Sequence, residues 1–380
     1  MPLIIICYLE TYIKGALLIL FLLCFIVQLY YLVSNHSKLA GYKVPDELLP
    51  VNIPISVIIS ARNEAENLRA HLPFILEQNY PDFEVVVIND CSYDESDLIL
   101  EEFQKTYAHL KVVTITEHQR FKTGKKFAVT LGIKAAKNEH LLFTDADCRP
   151  ASVNWITRMA ASFTPGTQIV LGYSPYYKSR NFLNPFIRFE TLKTAINYLS
   201  AALIGDPYMG IGRNLAYTKT LFFSVKGFAA HMHLMAGDDD LFVNQNGTGA
   251  NTAIQIHPEA FMHTSAKTTL KAWYRQKKRH LGVGKYYKGR HRRMLTFDAL
   301  SGYMFYLLLV ICLIFNFEPL LVLGIFIFRL ILQMVIYSKI FKKLDTADLL
   351  WYLPGFDLFY YVYLNLFGLI ATFIKTKQWK

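Results

Sequence analysis

Asp145-Ala146-Asp147 closes the apolar run His140-Leu141-Leu142-Phe143-Thr144. Residues two apart on an extended strand point to one face, with Cα atoms roughly 6–7 Å apart. Two carboxylates so placed at a strand's end can share a divalent cation and the phosphates it carries, since hard cations combine one or two protein carboxylates with phosphate oxygens. Further on, Asp238-Asp239-Asp240 crowds three like charges ahead of Leu241. Crowding raises the pKa of at least one of them and suits a proton-accepting role near neutrality. The competing reading of both clusters is capping, because Asp is favoured in turns and in the first turn of a helix. Lys125, with Lys126 as its rival, and Arg279 are cations able to offset negative charge where it develops.

The elements that must position these residues follow from periodicity. Ile53–Ser60, Phe83–Ile88, Lys111–Ile115 and Leu141–Thr144 read as buried strands. Helical patterns follow Glu64 and span Asp94–Ala108 and Lys125–Ala136. Strands alternating with helices imply an α/β fold with a mostly parallel, doubly wound sheet. Ligands of such sheets bind beyond the carboxyl ends of the strands, and three of these four strands run into acidic or amide residues: Asn63-Glu64, Asn89-Asp90 and Asp145. Ile169–Tyr173 and Leu215–Tyr217 read as later strands, and Asn181–Ile204 as an amphipathic helix of interfacial or packing character.

Four apolar blocks, 12–33, 301–315, 319–337 and 349–374, frame this region. About 20 apolar residues suffice to cross a bilayer, so the expectation is an integral protein of a plasma or inner membrane. It divides into an N-terminal transmembrane helix (1–38), a soluble domain with interfacial helices (39–298) and a C-terminal region of two to three spans (299–380). The last block contains Pro354-Gly355 and Asp357, which leaves open a re-entrant course. Lys38, Lys43 and the ten Lys/Arg between Lys271 and Arg293 place the soluble domain in the cytoplasm by the positive-inside rule. Trp273 is expected as an interfacial anchor. Five scattered cysteines without a C-x-x-C pair exclude a disulfide framework and a zinc site. The net charge of +11 sits beside the apolar blocks, without a nucleic-acid-binding motif, so no nucleic-acid partner is expected.

In order, Ala61-Arg-Asn-Glu64, Asn89-Asp90-Cys-Ser-Tyr-Asp94, Gly124-Lys125, Asp145-Ala-Asp147, Gly212-Arg-Asn214, Gly237-Asp-Asp-Asp240 and Gln276-Lys-Lys-Arg279-His280 resemble the motifs of the family 2 glycosyltransferases. The resemblance is to the membrane-embedded branch, which includes ceramide glucosyltransferases and hyaluronan, cellulose and poly-N-acetylglucosamine synthases. It covers roughly residues 52–295. Asn89 stands where the family has Asp, and His280 where it has Trp. The resemblance implies a GT-A-type nucleotide-sugar-binding domain and roles for individual residues. Glu64 and Asp90 would hold base and ribose, Lys125 the diphosphate, Asp145 the ribose and diphosphate, and Asp147, aided by Asp145, a Mg²⁺ or Mn²⁺ ion. Asn214, Gln276 and His280 would face the acceptor, and Arg279 would offset leaving-group charge. Asp239 aligns as general base, with Asp238 its close rival.

The expected activity is inverting transfer of a sugar from a nucleotide-diphosphate donor, a UDP-sugar in the first instance, to a lipid or glycan acceptor. Membrane lipids are expected as further partners. Processive polysaccharide synthesis is the alternative within the class. An inactive, membrane-anchored nucleotide-sugar-binding subunit is the alternative outside it.

Overall fold

The structure is a computed structural model that describes residues 2–47, 52–116, 124–234 and 236–373, with side chains described except at 2–11, 279–281 and 369–373. The described residues divide into two compact units, one within 42–287, the other of 2–41 with 288–373.

The first unit is built on β1 (Ile55–Ala61), α3 (Ala65–Leu76), β2 (Phe83–Asp90), α4 (Ser96–Thr106), β3 (Leu110–Ile115), α5 (Lys125–Ala135) and β4 (His140–Asp145), after α1 (Pro2–Tyr30) and α2 (Ser37–Gly41) of the other unit. β5 (Cys148–Pro150), α6 (Trp155–Ala160), β6 (Ile169–Gly172), α7 (Asn184–Leu203), β7 (Leu215–Thr218), α8 (Lys219–Ser224), α9 (Asp240–Asn246), β8 (Thr252–Gln255), β9 (Met262–Thr264) and α10 (Leu270–Leu281) complete it. The main sheet has the order β3-β2-β1-β4-β7-β6-β8. β1 pairs in parallel with both β2 and β4, while β7 runs antiparallel between β4 and β6. The chain therefore winds from β1 toward β3 and then returns to β4 on the other side. The crevice for a ligand lies at that switch, beyond the ends of β1 and β4.

The β-branched and apolar runs of β1 and β2 are buried on both faces, as a sheet with helices on either side requires. Gly132 decides how closely α5 lies on them: a Cβ there would stand 2.5 Å from Ile88 Cδ1 and 2.9 Å from Ile58 Cγ2. The absence of that carbon brings the N-terminus of α5, and Lys125 with it, up to the strand ends. Of the interfacial or packing character read for Asn181–Ile204, α7 has the second: side chains on all sides of it are buried, including Arg188, Glu190 and Lys193. Trp273 is likewise buried, edge-on to Phe186 at 5.9 Å, and is not an exposed anchor.

The second unit holds α1, continued through a π-helical stretch (Tyr31–His36) and α2, and then α11 (Gly289–Ile314), α12 (Pro319–Lys343) and α13 (Leu353–Phe373). Tyr12–Gly41, Gly289–Ile314 and Pro319–Lys343 are long and apolar enough to cross a membrane. α11 begins ten residues before the boundary expected at 299, so its first turns carry Arg290, Arg292 and Arg293. Pro354 and Gly355 do not break the last helix. Proline's missing N–H is harmless in a first turn, and α13 runs continuously from Leu353. Asp357 is fully buried there, in an ion pair with Arg329 at 3.0 Å. Gln333 and Tyr306 donate to it at 2.9 Å each, and Arg329 also donates to Gln28 at 2.9 Å.

Candidate active site

The turns after β1 and β2 interlock. Asn63, at a φ of 55°, donates its N–H to Ser92 Oγ at 2.9 Å and accepts from the Tyr93 N–H at 2.8 Å. Asp94 accepts from the Ala65 and Ser96 N–H groups at 2.9 and 3.1 Å, so it fastens the starts of α3 and α4 to each other. Glu64 turns a carboxylate oxygen onto Asn67 Nδ2 at 2.5 Å. Asp90 differs from both. It is buried, burial raises its pKa against the pull of Arg62, and among the described residues no N–H or O–H donor reaches either oxygen. Arg62, at 3.9 Å, is beyond hydrogen-bond distance. The weak Cys91 thiol is the side-chain hydrogen bond that favours its charge, so a stronger donor from outside the chain would stabilise this buried carboxylate.

Lys125 is the hub of the crevice. Its Nζ lies 2.9 Å from Asp145 and 3.3 Å from Asp238. Burial opposes its charge, but Asp145, Asp238 and Asp239 outweigh burial and hold its pKa well above the lysine range. Lys126 points elsewhere, donating to the carbonyls of His231 and Leu234 at 2.7 and 3.2 Å. Adjacent helical residues diverge by about 100°, so only one of the two can face the strand ends. Ser60, Thr144, Asp145, Gly212, Tyr217, Asp238 and Asp239 line the crevice around Lys125.

β4 ends at Asp145, and Ala146-Asp147 form a tight turn into β5. The strand alternation that would set the two carboxylates on one face therefore stops short of Asp147. That residue is held instead through its carbonyl, which accepts from Thr264 Oγ1 on β9 at 3.0 Å. Arg213 is a functional candidate that the sequence reading passed over, although it sits inside the Gly212–Asn214 motif. Burial opposes its charge, while Tyr176, Cys148, Asp147 and Asp145 outweigh burial and keep it protonated. Its guanidinium lies 4.7 Å from the Tyr176 ring, and Gln276 Nε2 donates to the Tyr176 hydroxyl at 3.2 Å. Gln276 thus reaches the site through Tyr176 and Arg213. Lys277 anchors the same helix by an ion pair with buried Glu190. The side chains of Arg279 and His280 lie outside the described residues.

Asn214 is corrected from an acceptor-facing residue to a core anchor. It is fully buried, its Oδ1 accepts from Trp155 Nε1 at 3.0 Å, and its Nδ2 donates to the carbonyls of Tyr173 and Ala260 at 2.8 Å each. Both Nδ2 hydrogens are spent on the core, and full burial keeps the side chain away from a substrate. Asn214→Ala is expected to cost about 3 kcal/mol of stability, because three buried partners lose their bonds. Thermal unfolding of the variant measures this, and an unchanged midpoint would contradict the anchor role.

The three consecutive aspartates differ in their contacts. Asp239 is the N-cap of α9. Its Oδ1 accepts from the Asp240 N–H at 2.8 Å and its Oδ2 from the Gly212 N–H at 2.7 Å. Burial and Asp238 push its pKa up. Asp240 accepts from the Leu241 N–H at 2.7 Å and the Tyr287 hydroxyl at 2.9 Å, and burial followed by Asp239 pushes it up to about 8. Asp238 makes neither cap contact; one oxygen faces Lys125 and the side chain lines the crevice. Asp239 is thus engaged by two backbone N–H groups, while Asp238 is left facing Lys125.

Residues 56–235 match the glycosyl transferase family 2 model. The chain is 33% identical over 119 residues to Glycosyltransferase AglE of Haloferax volcanii, covering 31% of this chain and 37% of that one. It is 25% identical over 239 residues to the probable glycosyltransferase YdaM of Bacillus subtilis, covering 59% and 54%. Identity is 34% over 93 residues to the poly-beta-1,6-N-acetyl-D-glucosamine synthase of Staphylococcus epidermidis, covering 24% and 21%. The chain thus spans about half the length of YdaM and less of the other two. The fold is similar to that of the mannosyltransferase PcManGT from Pyrobaculum calidifontis, with a TM-score of 0.59, 16% identity, and coverage of 93% of this chain and 98% of that one. A GT-A-like sheet with acidic residues at its strand ends and this family match lead to one conclusion: the chain carries a glycosyl transferase family 2 domain over residues 56–235.

Proposed function

We propose that the protein is a membrane-bound, inverting glycosyltransferase that moves a sugar from a nucleotide-diphosphate donor to a lipid or glycan acceptor, with its transferase domain cytoplasmic. The observation that carries this reading is Lys125, paired at once with Asp145 at the end of β4 and Asp238 before α9. One cation joins the carboxylate beside the donor's diphosphate to the carboxylate beside the acceptor.

Asp90 accepts from the base N–H, a stronger donor than the Cys91 thiol beside it. Lys125 and Arg213 face the diphosphate and offset its charge as it departs. Asp238 takes the proton of the acceptor hydroxyl as that oxygen bonds to the anomeric carbon and the bond to the diphosphate breaks. Attack opposite to the leaving group inverts the anomeric configuration. Gln276, with Tyr176, stands on the acceptor side.

The donor set fits Mg²⁺ or Mn²⁺. Asp147 and Asp145 offer hard oxygen ligands, and among the described residues no third His, Cys, Asp or Glu joins them, which leaves positions for phosphate oxygens. The ion would neutralise phosphate charge. PcManGT, the structural relative, was solved with GDP-Man and Mn²⁺, so a test should offer GDP-mannose beside UDP-sugars.

The test is transfer of radiolabelled sugar from a donor panel to a membrane lipid extract, with Mn²⁺ or Mg²⁺ and with chelator. We expect a labelled product from at least one donor, falling about a hundredfold or more when metal is removed. Nucleotide binding without transfer from any donor would instead favour an inactive binding subunit. A ladder of lengthening products would favour polymer synthesis.

A further inference from the structure

The stretch after α10 closes on the loop that carries the aspartates. Gly237 has a φ of 96°, and a Cβ there would meet Leu241 Cδ1 at 2.6 Å and Val283 Cγ1 at 3.2 Å. Val283 is thus seated directly on the turn that starts the acidic run, and it is buried. Four residues on, Tyr287 is also buried, its ring 6.2 Å from that of Tyr208, whose carbonyl accepts from Asn244 on α9 at 2.8 Å. Its hydroxyl donates to Asp240 Oδ2 at 2.9 Å. Among the described residues this is the side-chain donor that meets the half-buried Asp240 carboxylate.

We propose that Tyr287 is a positioning residue of the transfer site: its hydroxyl holds Asp240, and through Asp240 fixes the loop on which Asp238 and Asp239 stand. This rests on the reading of Asp238 as the base. The path is short. Asp240 caps Leu241, Asp239 caps Asp240 and reaches across to the Gly212 N–H, and Asp238 meets Lys125. Without the hydroxyl, a half-buried carboxylate loses the side-chain donor that fixes its orientation. It then protonates or swings, and either change moves the cap and the base beside it.

The groups facing Asp240 support a pH signature. Burial, Asp239 and Asp238 raise its pKa, the Tyr287 hydrogen bond opposes them, and Lys126 of α5 is coupled to it. The ionised form accepts more strongly from Tyr287 than the neutral acid does, so activity should rise with pH as Asp240 loses its proton. Removing the hydroxyl should shift that limb to higher pH.

Tyr287→Phe in the full chain keeps the ring and its packing, so it tests the hydroxyl alone. We expect kcat to fall about tenfold with the donor KM unchanged and the acid limb displaced upward. Amide hydrogen exchange should quicken at Gly212 and at Asp240–Leu241 but not in β1 or β2. In an Asp240→Ala background the same change should add nothing. Unchanged exchange at Gly212 and Asp240–Leu241 would overturn the proposal whether or not the chain transfers sugar, as would unchanged kcat or additive losses. Failure of the wild-type chain to transfer from any donor would overturn the base assignment separately, leaving the exchange experiment to decide the positioning role.

Discussion

Asp238→Asn is expected to lower sugar transfer by about 10²- to 10⁴-fold, the usual contribution of a positioned general base, with nucleotide binding close to wild type. The amide keeps the size of the side chain and can still accept from Lys125, but it cannot take up the acceptor's proton. Asp239→Asn should behave differently. Both oxygens of Asp239 receive backbone N–H groups, so an amide nitrogen must replace one acceptor and confront a donor. The result is loss of a cap, about 1 kcal/mol of stability, and a smaller fall in rate through displacement of its neighbours. Calorimetric titration with nucleoside diphosphate separates the effects, since both variants should bind it. Full turnover in Asp238→Asn, together with loss of turnover in Asp239→Asn at unchanged stability, would return the base role to Asp239.

Arg329→Leu is expected to destabilise the helical unit by about 3–5 kcal/mol, and Asp357→Leu by a similar amount, because each leaves the other charge buried and alone. Arg329 and Asp357 are essentially inaccessible to solvent. The pair is also tied to Gln28, Tyr306 and Gln333, so α1, α11, α12 and α13 share one polar cluster. Replacing both charges by leucine removes the uncompensated charge and should recover most of the loss, as apolar substitutions of buried pairs often do. Thermal unfolding of detergent-solubilised protein provides the measurement. Single variants as stable as wild type, or a double variant no better than the singles, would show that the pair does not hold the helices together.

The strands at the heart of the transferase domain were readable because β1, β2 and β4 are local apolar runs, long enough for burial to show in composition. Their acidic ends were readable for the same reason, and so was the crevice they surround. β5, β8 and β9 were not. They lack the apolar runs that marked the equally short β6 and β7, and they exist through partners far away in the chain, as Arg149 pairs with His263. Periodicity left α7 between interfacial and packing character, and its burial rests on partners from elsewhere in the chain, as Glu190 meets Lys277 inside the fold.

The sequence by itself determined which chemical groups stand at which strand ends: carboxylates after β2 and β4, a lysine at the start of α5 and three aspartates before α9. These are properties of local pattern and residue type. Only the tertiary structure decided how those groups divide their work. Lys125 faces the crevice and Lys126 a pair of carbonyls because neighbouring helical side chains diverge and Gly132 sets α5 close against the sheet. Asn214 became an anchor because Trp155, Tyr173 and Ala260 converge on it, and Asp239 became a cap because the Gly212 N–H lies across from it. Asp357, a helix breaker's neighbour in the sequence, became the buried partner of Arg329. Each outcome depends on which donor or acceptor a polar group meets once water is gone, and such a partner can be supplied from anywhere in the chain.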